Sequence, residues 1–171
     1  SRPLHLLAAG PTDAPVRHRS MRDAIDWSYR LLSSEHRAML RAMGVFAGSV
    51  PLDGIESVAA AAGISGEFST IELIEQLVDA SMIESLETGD GDPRFLLYAP
   101  VREFVVLEME PTGERATLRG HHARWVDELT REYETLMFGP REHVSHARMR
   151  ADLDNIRAAL AWSLERDEIG Q

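Results

Sequence analysis

A few groupings bring charged or titratable side chains close enough to do chemistry. Arg17, His18, Arg19 and Arg22 place three guanidiniums and an imidazole within one short stretch. That spacing suits the phosphates or carboxylates of a partner. Its plainer meaning is a solvated junction at a helix start. His121-His122 and His143-x-x-His146 would need to converge with Asp127 or Glu142 to hold a metal, because zinc takes three or four ligands and an orienting shell. Partly exposed helical histidines are far commoner, and no metal is expected. Glu72 and Glu75 lie one turn apart, which is weak support for acid–base work. No serine-histidine-acid set stands out. The absence of cysteine excludes thiol catalysis, disulfides and cysteine-ligated zinc. Every one of the 18 basic residues is arginine, so no Gly-x-x-x-x-Gly-Lys-[Ser/Thr] phosphate loop exists. The chain is expected to be no enzyme and to carry no cofactor of its own.

The remaining polar and aromatic residues read as structure. Asp152, Asp154 and Glu165 with Arg148, Arg150 and Arg157 suggest a mixed-charge, solvated helix face. Trp27, Trp125 and Trp162 suggest packing rather than ligand stacking.

The 171 residues allow one large domain or two small ones, and 44% hydrophobic content supports a real core. No apolar run is long enough to span a membrane, and no signal peptide opens the chain. A cytoplasmic location is expected. Ser1 in place of a methionine suggests a piece of a longer protein.

Positioning elements follow from periodicity and breakers. Residues 1–19 read as a loop-like linker, punctuated by Pro3, Gly10, Pro11 and Pro15. A helix is expected from Ser20, with Met21, Ala24, Ile25, Ser28, Leu31 and Leu32 on one stripe. Further helices are expected over about 35–46, 52–62 and 69–80, with Gly48 to Pro51 as a turn. Residues 83–86 and 95–98 read as a β-hairpin around the turn residues 88–93. A short helix follows Pro100, and Pro111-Thr112-Gly113 marks a boundary. Two long helices, about 114–137 and 141–166, are separated by Gly139-Pro140. The second is expected to bury Met149, Leu153, Ile156, Leu160 and Leu164.

The expected fold class is mainly α: a winged helix over 20–110, then an antiparallel helical hairpin over 111–171 that begins a TPR-like repeat domain. DNA-binding winged helices place the helix before the hairpin in the major groove. Here that helix carries Glu72, Glu75 and Asp79 and no base. Residues 50–100 hold ten acids and one arginine, whereas residues 1–49 hold seven arginines and four acids. Phosphate contacts come largely from basic side chains. The helix is therefore expected to offer Glu72, Glu75 and Asp79 as a protein-docking surface, with no direct DNA binding. The rival is a DNA-binding domain that holds phosphates through the arginines of residues 17–41.

Several runs carry a family resemblance. The stretch from Asp13 to Leu32 resembles bacterial STAND signal-transduction ATPases, common in actinobacteria and including LuxR-type and SARP-like transcriptional regulators. Val45-Phe46-Ala47-Gly48, Leu77-Val78-Asp79-Ala80-Ser81-Met82-Ile83, Val101-Arg102-Glu103-Phe104 and Leu153-Asp154-Asn155-Ile156-Arg157-Ala158-Ala159-Leu160-Ala161-Trp162 resemble further family motifs in the same order. The resemblance implies an ATPase domain upstream, helical repeats downstream, and a DNA-binding domain elsewhere in the intact protein. ATP or ADP with Mg would belong to that intact protein. By the same resemblance, partners would be the chain's own ATPase and repeat domains and a protein or small-molecule inducer. Arg17, His18, Arg19 and Arg22 would face the ATPase domain or its nucleotide. The sequence departs from the family where eukaryotic relatives place a nucleotide-sensing Met-His-Asp: Leu96-Leu97-Tyr98 stands there.

Overall fold

Apolar spacing and end signals decide where each element begins and stops. The structure is a computed structural model that describes residues 14–64, 68–87, 93–136 and 142–169. Side chains of residues 14–20, 142–145 and 167–169 lie outside the description. So do most of the expected linker, the tip of the expected hairpin, the Gly139-Pro140 break, and the side chains of Arg17, His18, Arg19 and His143.

The first helix, α1, spans Ala14–Leu31. It begins ahead of the expected start at Ser20, so residues 14–19 are helical. Pro15 falls in the first turn, where its missing N–H leaves nothing unsatisfied. Arg17, Arg19 and Arg22 therefore lie beyond the helix start, mostly past the reach of its dipole. Tyr29 is the buried anchor of α1, edge-on to Phe104 with ring centroids 5.2 Å apart. Ile25 and Leu32 of the expected stripe pack against the core beside Tyr29, whereas Met21 and Leu31 are exposed. Trp27, expected in packing, stands in solvent.

Helix α2, Ser34–Met43, is capped by Ser33, whose hydroxyl accepts from the His36 N–H. It ends at Gly44, where a Cβ would come within 2.8 Å of Val105. Strand β1, Val50–Pro51, and helix α3, Leu52–Ala59, follow without a loop between them. Helix α4, Thr70–Asp79, opens on a full capping box: Ser69 Oγ accepts from the Glu72 N–H, and the Glu72 carboxylate accepts from the Ser69 N–H. Its end has Ser81 at φ 57°. Met82 N–H reaches Leu77 O and Ser81 N–H reaches Val78 O, a Schellman motif with serine where glycine is usual.

Strands β2, Ile83–Leu86, and β3, Arg94–Leu97, form the expected hairpin. The sheet has three strands in the order β1-β3-β2, all antiparallel. The third strand was unexpected: β1 is two residues long, too short for periodicity to show. Pro51 is tolerated because β1 lies at an edge. Helix α5, Ala99–Met109, starts with proline in its first turn. A 3-10 turn, Glu110–Thr112, and Gly113 at φ 69° redirect the chain, a conformation glycine adopts without the Cβ clash. Helices α6, Glu114–Leu136, and α7, Glu142–Ile169, complete the chain.

One hydrophobic core runs through all of this. Met39, Leu40, Met43, Ile55, Leu73, Ile74, Leu77 and Val105 form its centre, and Leu118, Trp125 and Tyr133 of α6 extend it. Helix α3 is pressed against α6: a Cβ on Gly54 would stand 2.7 Å from the Trp125 ring and 2.7 Å from Val50. The α7 stripe agrees with expectation only at Met149 and Ile156, which pack against the core. Leu153, Leu160 and Leu164 are exposed, and Asp152, Asn155 and Ala159 turn inward. Among the described residues, no helix is long and apolar enough to cross a membrane.

Candidate functional site

The helix before the hairpin is α4, and its inner face is Leu73, Ile74 and Leu77. That leaves Glu72, Glu75, Gln76 and Asp79 pointing outward. The three acids proposed from sequence therefore share one exposed face. Glu72 also works structurally: the Ser69 N–H and hydroxyl hold its carboxyl below the usual range. Gln76 is fixed to α2 by His36, whose Nε2 lies 2.9 Å from Gln76 Oε1 while its Nδ1 lies 2.7 Å from Ser33 Oγ.

The sole arginine of residues 50–100 is Arg94, in the strand at the centre of the sheet. It does not face outward. Arg94 forms a buried ion pair with Asp152 of α7. Its Nε donates to Ser49 Oγ at 3.0 Å and its Nη2 to Ser49 O at 2.7 Å. The Tyr133 hydroxyl donates to Asp152 at 2.6 Å. Burial, followed by that carboxylate, pushes the Tyr133 phenol above its usual range and keeps its proton in place. Asp152, expected on a solvated face, is thus buried, and the charge pattern of α7 alone could not have shown it.

Asn155, one turn along α7, completes a polar seam between the sheet region and the helical hairpin. Its Oδ1 accepts from Ala47 N at 2.9 Å and Gly48 N at 3.4 Å, and its Nδ2 donates to Ser49 O at 3.0 Å. Two runs that carried the family resemblance, residues 45–48 and 153–162, therefore meet in space. His122 lies beside them, edge-on to Phe46 at 5.0 Å. Burial pushes its imidazole down to about 4, with the amide of Asn155 offsetting part of the shift.

The seam has an open side. A cleft of about 480 Å³ lies above it, lined by Pro51, Leu52, Leu129, Arg148 and the acids Asp53, Glu56 and Glu132.

The remaining candidates separate. Arg22 is exposed beside a smaller cleft between α1 and α5. Arg30 pairs with Asp26 at 2.9 Å, and Arg41 binds Glu114 at 2.8 Å and Tyr29 Oη at 3.1 Å. His122 points into the core, and no cluster of three potential metal ligands occurs among the described residues.

Residues 32–107 match the winged helix-turn-helix domain family. The chain contains a winged helix. In its terms, α4 is the helix that DNA-binding members place in the groove, and the β2–β3 hairpin is the wing. Over 164 residues, 96% of the chain, it is 30% identical to a protein of Mycobacterium tuberculosis H37Rv named as an HTH-type transcriptional regulator. A Mycobacterium bovis protein of the same description matches equally. The chain spans 18% of the length of each. A further M. tuberculosis H37Rv protein, named only as uncharacterised, is 30% identical over 109 residues, 63% of this chain and 28% of its own length. No solved structure matches the chain.

Proposed function

We propose that the chain is a non-catalytic regulatory module of a bacterial transcriptional regulator, and that its winged helix docks onto protein instead of reading DNA. One observation carries this reading: the outward face of α4 bears Glu72, Glu75 and Asp79, and the only arginine of the region is buried against Asp152. A helix with this face repels phosphates where a DNA reader attracts them.

The resemblance to STAND ATPases supports an upstream ATPase domain as the docking partner. The winged helix would rest on an upstream ATPase domain and move as that domain changes nucleotide. ATP or ADP and Mg would bind there. The helical hairpin would begin a TPR-like sensor arm for a protein or small-molecule inducer. The seam of Arg94, Asp152, Tyr133 and Asn155 supports a coupled mechanism, since it joins α7 to the sheet and would carry a tilt of the arm into the winged helix.

A second reading is favoured by the match to a winged helix-turn-helix domain itself: the chain binds DNA through arginines of residues 17–41. Arg30 and Arg41 are held by carboxylates, which leaves exposed Arg22 of α1 and partly buried Arg37 of α2 for such contacts among the described residues.

Fluorescence anisotropy with labelled mixed-sequence duplex DNA, at low and then raised salt, separates the two. Absence of binding up to high-micromolar protein is expected. Tight binding that weakens steeply with salt would overturn the docking reading.

A further inference from the structure

The chain carries a net charge of −10, yet it gathers arginines where α6 packs against α5 and α7. Arg102 comes from α5, Arg115 and Arg119 from successive turns of α6, and Arg166 from the last turn of α7. The guanidiniums of Arg119 and Arg166 lie 5.9 and 5.1 Å from the centroid of the Trp162 ring. Arg115 pairs with Glu110 at 2.7 Å and Arg119 with Glu165 at 3.6 Å. Among the described residues, carboxylates thus pair with Arg115 and Arg119, and Arg102 has no ion pair.

Arg102 is the exceptional member. It is half-buried, and its Nε is buried with no hydrogen-bond partner among the described residues. Burial lowers its affinity for its proton, and the charge of Arg115 lowers it further. Burial does the same to Arg119; Glu165 opposes this, and Arg115 and Arg102 reinforce it. Like charges one helical turn apart are destabilising, as is a cation in the first turn of a helix, where Arg115 stands. The apolar contacts of the corner come from Val101, Phe104, Val105 and Leu118, and none of them offers the Arg102 Nε an acceptor.

We propose that Arg102, Arg115 and Arg119 form a binding site for a compact phosphate anion, with Arg102 as its floor. Guanidinium forks fit the oxygens of a phosphate in pairs. An anion supplies the counter-charge and the acceptor that the Arg102 Nε lacks among the described residues. Size follows from the surroundings: a long polyanion would have to lie along a strongly acidic molecule, whereas a small one meets only this corner. The site is separate from the α4 face and does not depend on the docking reading.

The test is thermal unfolding of the 171-residue chain at low ionic strength, with inorganic pyrophosphate titrated against sodium chloride of matched ionic strength. Pyrophosphate is expected to raise Tm saturably by several degrees in the millimolar range, and chloride is not. Arg102→Gln is expected to abolish that response and to raise Tm in the absence of pyrophosphate, since it relieves repulsion. Arg115→Gln, more exposed, is expected to weaken the response and keeps the test decisive if Arg102→Gln does not fold. Arg150→Gln, on an exposed part of α7, is expected to respond like the parent. A pyrophosphate effect no larger than that of salt would overturn the proposal. So would an unaltered response in the two variants of the corner, or binding of duplex DNA to this corner without binding of pyrophosphate.

Discussion

Arg94 on the central strand and Asp152 on the last helix form a buried ion pair across 58 positions of chain. Both charges are largely buried, and each is held by further hydrogen bonds, Arg94 by Ser49 and Asp152 by Tyr133. Buried pairs of this kind add little net stability when intact, but removing one partner strands the other. The pair therefore specifies how α7 sits on the sheet.

Asp152→Ala is expected to cost roughly 3–5 kcal/mol, because Arg94 is left buried and unpaired. Tyr133→Phe, which removes one donor, is expected to cost about 1–2 kcal/mol. Replacing both charges, Arg94→Met with Asp152→Leu, is expected to recover much of the Asp152→Ala loss. Urea denaturation of the three variants measures this, and an Asp152→Ala cost below that of Tyr133→Phe would refute it.

Asn155→Leu keeps the approximate volume but leaves the N–H groups of Ala47 and Gly48 without their side-chain acceptor, while the Ser49 carbonyl keeps only Arg94. A loss of about 2–4 kcal/mol is expected. Amide hydrogen exchange at residues 47 and 48 gives a local readout: both should lose protection before the α2 core does.

His122 makes stability pH-dependent. Its imidazole, near 4 when folded and about 6.5 when unfolded, is neutral in the folded protein at neutral pH. The unfolded chain binds the proton more tightly, so stability is complete above about pH 6.5 and declines as pH falls toward 4. The loss is on the order of 2–3 kcal/mol by the lower end. Denaturation midpoints at pH 7 and pH 5 should differ, and His122→Phe should flatten that difference. A flat parent profile would count against the burial argument.

Ser81→Gly is expected to stabilise the protein by roughly 0.5–1 kcal/mol. Its φ of 57° places a Cβ in the left-handed region, where glycine fits without strain. The opposite sign is expected at Gly54, where Gly54→Ala drives a methyl into Trp125 and Val50 and should cost several kcal/mol. Thermal melts rank the two, and Ser81→Gly melting below the parent would contradict the cap assignment.

Helices α2, α4 and α6 were legible in the sequence because caps, glycines and a single apolar stripe agree there. Ser33, Ser69 and Gly113 each mark an end that the structure keeps. The β2–β3 hairpin was legible from its turn residues. Three features were not. Strand β1 is too short to show a period. The start of α1 was hidden by Pro15, which reads as a breaker yet serves as a first-turn residue. The inward face of α7 was misread because leucines outrank Asp152 and Asn155 on any hydrophobic scale. What draws those two inward is the polar backbone of residues 47–49 and the charge of Arg94, all distant in sequence. The acidic face of α4 needed no tertiary knowledge, because an amphipathic helix with one apolar stripe leaves its other residues outside.

The carboxamide of Asn155 grips main chain, not side chains. Its three hydrogen bonds are indifferent to which residues stand at positions 47, 48 and 49, provided the turn keeps its shape. Residues there can drift between related proteins without a compensating change at position 155. Asn155 itself has no such freedom. This junction would therefore leave almost no trace of paired substitution between its two sides, and methods that infer contact from correlated change would pass over one of the best-defined contacts in the molecule.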